Sequence, residues 1–382
     1  MTIDLAAVSS KLRRYREQLQ LPIEEVEAGT GIDSAMLVAL ESGNLKPTGD
    51  QILIFADFYQ CDYRFFISNE KLAPFEQTEA LYRRYGEEFR KDDRRSVQEF
   101  LYLCECEEFL LQASGRPLAT IPKIQKSGNY YKGHGEQAAA ELRRYLGYKA
   151  NEIPINVYSD FRQLGCHILR RELGNSNISG LFIRHPVAAN CLLINYSEDV
   201  YRQRFSAAHE MAHALLDDDE EVVVSFHKGP SVDLREVRAN TFASRYLIPP
   251  EFLQQIPNPQ DWPTSKALEW ASKLKVSTEA LSIALKESDL ISAETQAAIR
   301  SVRVESSAKV DPELPSTLSP KSLERKEHLL RRGLSDYYVG LCMDAYERGT
   351  ISAARLAEML LVDERELSEI VVLFGRSLEY AG

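Results

Sequence analysis

His209-Glu210-Met211-Ala212-His213 follows the pattern H-E-x-x-H, and its reading decides the fold around it. Two histidines four apart project from one face of a helix, where they can share a metal ion, and the glutamate beside the first can hold a water against that ion. Metal ligands, nucleophile and base then lie within one short stretch. With 7 histidines in 382 residues, chance produces such a match on the order of once in a hundred chains. The bland alternative is a surface helix with two spaced histidines, so the flanking sequence has to decide.

The flanks read as helix and sheet. From Arg202 to Leu216 the residues Phe205, Ala208, Ala212, Leu215 and Leu216 form a core-facing stripe uninterrupted by Gly or Pro. Upstream, Cys191-Leu192-Leu193-Ile194 suits a buried strand, and Gly180-Leu181-Phe182-Ile183 suits its hairpin partner. A helix laid on a small sheet is a firm base for a metal.

Zinc needs a third protein ligand if a water is to occupy the fourth position. Asp217 stands four residues past His213, but positions i and i+8 of one helix are about 12 Å apart along the axis. One ion cannot reach both His209 and Asp217. The longer pattern H-E-x-x-H-x-x-G-x-x-H turns the chain at its glycine, yet Leu216 and Asp219 occupy its Gly and last His positions here. Glu236 is the better candidate. It lies in a second helix expected from Asp233 to Ile248, with Val237, Phe242, Tyr246 and Leu247 inward and Pro249-Pro250 as the stop. Asn240 sits one turn along the same face, where its amide oxygen can accept from a ligand imidazole and fix its tautomer. A second reading stays open, with Asp233 as N-cap and Glu236 completing a capping box.

Two nearby features have a functional and a plainer reading. His227 is a helper at the reacting carbonyl or an exposed loop histidine. Asp217-Asp218-Asp219-Glu220-Glu221 stands at the negative end of a helix dipole, so it reads as a solvated loop; the alternative is a negative rim that favours basic peptide segments.

Arg204-Phe205-Ser206-Ala207-Ala208-His209-Glu210-Met211-Ala212-His213, then Glu236-Val237-Arg238-Ala239-Asn240-Thr241-Phe242-Ala243 and Leu247-Ile248-Pro249, resemble the ImmA/IrrE metallopeptidases. The pattern there runs r-F-t-x-A-H-E-x-x-H, E-x-x-A-N-x-F-A and L-x-P, and Asn195 at the end of the preceding strand fits it too. The resemblance implies a zincin-like domain with His209, His213 and Glu236 as metal ligands and Glu210 as base. It implies Zn²⁺, although the same donors also take Mn²⁺ or Fe²⁺. It further implies cleavage of one partner, a transcriptional repressor, to relieve repression in a stress, DNA-damage or phage-defence response.

The first seventy residues make a separate argument. Leu12 to Leu19, Ile23 to Thr30, Asp33 to Glu41 and Gln51 to Tyr59 read as four short helices, with Gly31-Ile32 as a terse turn. This spacing, with Glu41-Ser42-Gly43 and Pro47, resembles the Cro/repressor (XRE-type) helix-turn-helix, which would place Asp33 to Leu40 in a major groove. Arg13, Arg14, Ser34 and Lys46 are its candidate DNA contacts, with Arg16 a further basic residue. The charges oppose this, because residues 1–70 hold six Lys or Arg against eleven Asp or Glu and the reading helix has no cation. DNA binding and protein docking are both open for this head.

Between head and peptidase, one long helix is expected from about Gln77 to Ser114, ended by Gly115-Arg116-Pro117, with Glu87 to Arg95 as its solvated face. Beyond the peptidase, Ser306 to Pro320 reads as a flexible linker. Leu334 to Tyr346, Ser352 to Leu360 and Glu364 to Phe374 then read as a helical tail, with Ile351 to Leu360 resembling tails of larger family members.

The expected organisation is therefore α+β and mostly helical. Residues 1–70 form a helix-turn-helix bundle, 71–130 a helical brace, 131–305 the peptidase with its small sheet and active-site helix, 306–320 a linker and 321–382 a C-terminal helical domain. Composition agrees: 44% hydrophobic and 27% charged residues suit globular domains with real cores. A net charge of -11 disfavours general nucleic-acid coating or anionic membranes. No apolar run reaches membrane-spanning length, and Cys61, Cys104, Cys106, Cys166, Cys191 and Cys342 form no C-x-x-C pair, so a cytoplasmic protein with reduced thiols is expected. The function expected is a site-specific metalloendopeptidase acting on a repressor-type protein, with DNA as a possible activator or operator. The alternative is a helix-turn-helix transcription regulator whose peptidase-like domain senses a ligand.

Overall fold

The computed structural model describes residues 4–61, 63–68, 74–115, 119–126, 128–227, 233–314 and 317–378. Among these the chain is mostly helical around one small mixed sheet, an α+β architecture. The strands are β1 (Cys166–Arg171), β2 (Ile178–His185), β3 (Ala189–Asn195) and β4 (Val222–Phe226), in the order β1-β3-β2-β4. β2 and β3 form the expected antiparallel hairpin, pairing Gly180 with Ile194 and Ile183 with Cys191. β1 runs parallel to β3, and β4 antiparallel to β2. Sequence reading found neither β1 nor β4.

Both faces of the sheet are covered, which explains why its inner strands read as unbroken apolar runs. With a side-chain period of two, Ile168, Phe182, Leu192 and Ile194 face one core together with the helices Val200–Leu216, Leu234–Leu247 and Tyr131–Tyr145. Leu169, Leu181, Ile183, Cys191 and Leu193 face the other. That second core is closed by the helix Lys91–Ala113 and by the C-terminal helices Pro320–Arg331, Asp336–Glu347, Ala353–Met359 and Glu364–Leu373. Brace and tail thus meet as one layer behind the sheet.

Three expectations change in consequence. The long helix splits into Pro74–Tyr85 and Lys91–Ala113, and the chain turns between them at Gly86, where the backbone passes so close to the Tyr82 carbonyl that a Cβ would collide with it. Its charged stretch is not simply solvated. Arg94 is buried and donates to the carbonyls of Gly86, Phe89 and Gln18, while Asp93 accepts the backbone N–H of Gly174 at 2.6 Å. Arg116 and Pro117 lie outside the described residues.

The linker, too, is anchored where it is described. Arg170 on β1 is 1% exposed and grips Asp311 through two bonds of 2.6 and 2.8 Å and Glu313 through one of 2.9 Å. Arg162 holds the other Glu313 oxygen at 2.6 Å. Pro315 lies outside the described residues.

The head comprises the helices Leu5–Gln18, Ile23–Thr30, Ser34–Glu41, Gly49–Tyr59 and Tyr63–Ile67, with a core of its own that includes Leu12, Tyr15, Val26, Leu40, Phe55 and Phe66. The first helix starts earlier than the sequence suggested, capped by Asp4. Gly31 ends the second helix at φ +69, a left-handed conformation natural to glycine, and Asp33 caps the third by accepting from Ala35 and Met36. The Gln18 carbonyl accepts from Arg94 and the Gln60 carbonyl from Gln98, seating the head on the brace. Among the described residues, no helix is long and apolar enough to cross a membrane.

Candidate metal centre

The helix Val200–Leu216 presents the H-E-x-x-H face from within the core. Its N-terminal end is fixed by Arg204, which is fully buried and donates to the carbonyls of Pro154 (2.7 Å), Ile155 (2.6 Å) and Lys275 (3.2 Å). That staple accounts for an arginine ahead of the motif. Asn195 closes the end of β3 in a similar way, donating to the Ile178 carbonyl at 2.8 Å and accepting from the Leu173 N–H.

His209, His213 and Glu236 converge, with one ligand atom from each lying within 4.8 Å of the others. The two imidazole Nε2 atoms are 3.1 Å apart, and the Glu236 oxygens stand 3.1 Å from His209 Nε2 and 3.3 Å from His213 Nε2. The outer nitrogens are committed elsewhere. Asn240 Oδ1 lies 3.1 Å from His209 Nδ1, and Asp217 Oδ2 lies 2.6 Å from His213 Nδ1. Both partners are acceptors, so each Nδ1 carries its proton and each Nε2 is directed at the shared point.

Glu236 also resolves against the capping alternative. Asp233 caps Leu234–Leu247 alone, accepting from the Arg235 N–H, while the Glu236 carboxylate stands on the imidazoles. Of the side chains expected inward on that helix, Phe242, Tyr246 and Leu247 are buried, and Val237 instead lines the cleft.

Asp217 and Arg238 were not anticipated as site residues. Asp217 is 1% exposed and paired on its other oxygen with buried Arg238. An i, i+8 separation keeps Asp217 away from His209, while its i, i+4 separation from His213 sets it beside that ring.

Burial lowers the basicity of His213, but its bonds to Asp217 and Glu236 outweigh that and raise it to about 10. For Glu236, burial pushes the carboxyl up, and the bonds from His209 and His213 reverse this, holding it well below the usual carboxylate range.

Glu210 is fully buried, and neither of its oxygens has a hydrogen-bond partner among the described residues. Burial raises its pKa, partly offset by the charges of His209 and His213. Ser225 on β4 is near enough to favour the charged form but makes no bond of ordinary geometry. Space for the carboxylate comes from Gly180, where a Cβ would stand 2.9 Å from both Glu210 Oε1 and the Leu193 carbonyl. A glycine inside β2 is the mark of that close approach.

A cleft of about 250 Å³ opens onto this group, walled by Phe205, Ser225, Phe226, His227 and Val237 among others. His227 accepts from Arg202 at Nδ1 (3.1 Å) and stands 3.1 Å from Glu198 through Nε2, so both ring nitrogens are engaged at the cleft wall. Of the acidic run, Asp217 is buried, while Asp219 and Glu220 pair with Arg235.

The candidate DNA contacts do not gather into a basic surface. Arg13 donates to the Glu41 carbonyl, Arg14 pairs with Glu79, Ser34 donates to Glu27, and Lys46 is exposed. Arg16 is locked on Glu41 at 2.8 Å.

A mixed sheet backing a helix with two histidines, a carboxylate from a second helix and a buried glutamate define a metallopeptidase-like domain. Residues 161–286 match the sequence model of a peptidase family, described as the IrrE N-terminal-like domain (peptidase M78). The match contains all four strands and both site helices, and the head lies outside it. No curated protein matches the chain.

Proposed function

We propose that this chain is a zinc-dependent endopeptidase that cuts a repressor-type protein partner and so derepresses a stress, DNA-damage or defence response. The observation that carries the peptidase reading is the convergence of His209 Nε2, His213 Nε2 and Glu236, with both Nδ1 atoms held by acceptors. Two imidazoles and one carboxylate are a donor set suited to a catalytic zinc with an open position, and Mn²⁺ or Fe²⁺ are compatible with it. Such an ion supplies Lewis acidity toward a scissile carbonyl and a water acidified to a pKa of about 7.

The chain's own groups do the proton work. Glu210, buried and with unbonded oxygens beside the donor cluster, takes a proton from the attacking water and returns it to the leaving amine nitrogen. Asn240 and Asp217 keep the two imidazoles in their tautomers, and the apolar wall of Phe205, Phe226 and Val237 limits water around a bound peptide. The choice of a repressor as substrate rests on the motif resemblance. A cytoplasmic setting fits six free cysteines.

The test combines metal content with cleavage. Purified protein should hold about one zinc equivalent and lose it on Glu236→Ala. It should make a single chelator-sensitive cut in the product of a neighbouring repressor-like gene. Full zinc retention by Glu236→Ala, or a cut indifferent to chelator, overturns the reading.

A further inference from the structure

The sheet face beneath the active helix changes character beside Glu210. Ile168, Phe182, Leu192 and Ile194 fill much of that face, with Val223 from β4 packed against them. Next to Glu210 the residues are instead Ser179, Gly180 and Ser225, two of them hydroxyl donors.

Ser179 reaches this face through a bulge. Regular alternation along β2 would send it to the opposite core with Leu181 and Ile183. Ile178 pairs with Phe226 and Gly180 with Ser225, however, so Ser179 is an extra residue on β2, and Ile178 takes the place in the opposite core. Such a bulge re-aims a side chain, and Ser179 lines the same cleft as Glu210. On β4, Val222 and Val224 face the opposite core, which turns Ser225 into the cleft as well.

Both hydroxyls are buried without partners. Ser179 and Ser225 are 5% and 4% exposed, and neither Oγ has a hydrogen-bond partner among the described residues. The two Glu210 oxygens share that condition. Other polar groups of the cleft are committed, Ser206 donating to Glu198 at 2.7 Å and Arg202 to His227 at 3.1 Å. Ser225 stands near enough to interact with the Glu210 carboxylate. Making room for that carboxylate does not account for the serines, because alanine would leave the same space without burying an unbonded hydroxyl. A base does need such donors: while one carboxylate oxygen faces the water, the other must be held for the proton transfer to stay in line.

We infer that Ser179 and Ser225 are positioning residues, whose hydroxyls donate to the Glu210 oxygen turned away from the attacking water. The water's proton passes to Glu210 and on to the leaving amine nitrogen, and the serine protons stay on their own oxygens. The inference rests on the peptidase reading and adds to it two residues outside the metal-binding motifs.

The experiment compares wild type with Ser179→Ala, Ser225→Ala and the double substitution in three measurements: zinc content, melting temperature of the zinc-free protein, and kcat and KM for cutting the product of the neighbouring repressor-like gene. Zinc content should be unchanged. Melting temperature should be unchanged or raised, since a buried hydroxyl without a partner contributes no stability. The double substitution should lower kcat about tenfold to a hundredfold, the value of a hydrogen bond to a charged group, with KM within about twofold.

A melting temperature that falls in the double variant makes the serines structural and overturns the inference, whatever the activity. An unchanged kcat, or a loss carried by KM alone, also overturns it and leaves the peptidase reading standing. A wild-type protein that holds zinc and makes no cut overturns that reading, and the inference with it.

Discussion

Replacing Asp217 by Asn keeps the side chain's shape and removes its charge from a buried position between His213 and Arg238. Two effects follow, and they can be measured apart. Removing the carboxylate weakens the orientation and basicity of a ligand imidazole, a change that in comparable sites costs about 10- to 100-fold in metal affinity. That corresponds to about 1.4–2.7 kcal/mol. The second effect falls on the metal-free fold. Arg238 is 5% exposed, and deleting one member of a buried pair costs about 3–5 kcal/mol because the other charge is left behind. Asn can still accept a bond from either partner, so Asp217→Asn should cost about 1–3 kcal/mol and Asp217→Ala the larger figure. Zinc competition against a chromophoric chelator reads the first effect, and urea denaturation of the metal-free protein reads the second. Zinc affinity of Asp217→Asn within about twofold of wild type, a difference of under 1 kcal/mol, would refute the assignment of Asp217 as the group that orients His213.

Three further outcomes are expected. Gly180→Ala sets a methyl 2.9 Å from the Glu210 carboxylate and from a strand carbonyl that cannot yield; it should destabilise the protein by about 1–3 kcal/mol, and an unchanged denaturation midpoint would contradict the packing argument. His213, raised to about 10, is protonated at neutral pH without metal, and a ligand must be deprotonated. Zinc uptake at pH 7 should therefore release about one proton, and affinity should climb as pH rises towards 10. Calorimetry in two buffers of different ionisation heat reads that proton, and zero release would contradict the linkage. Removing both Asp311 and Glu313 leaves Arg170 buried without its anions and should cost about 3–5 kcal/mol by chemical denaturation; a loss below about 1 kcal/mol would show that the 311–313 stretch does not anchor the sheet.

Much of the centre was legible because its spacings are local. His209 and His213 share a helix face, and Glu236 and Asn240 share another by the same i, i+4 rule. Asp217 was set aside by a distance argument that is sound for His209, but the role beside His213 is set by its single neighbour one turn back. Gly180 and Ser225 are site residues only because β2 and β4 pass the active helix, and no local pattern reports that.

The two missed strands have physical reasons. β1, Cys-His-Ile-Leu-Arg-Arg, ends in charged residues, and Arg170 can be buried there only because carboxylates about 140 positions later meet it. β4 follows the acidic run directly, which masks its start. The separate brace and tail suggested by Gly, Pro and charge signals become one layer, because their apolar stripes are satisfied by the back of a sheet distant in sequence. The Glu87 to Arg95 patch misled for the same reason, as Arg94 spends its charge on backbone carbonyls brought from three places.

The most direct test of the account is Glu210→Gln, which keeps size and leaves every proposed metal donor in place. Wild-type and variant proteins, each loaded with zinc and checked for metal content, are incubated with the repressor-type partner, and cut product is quantified by mass spectrometry. The account predicts equal metal content, one defined cut by wild type, and none by the variant. A variant that holds zinc and cuts at the wild-type rate would contradict it.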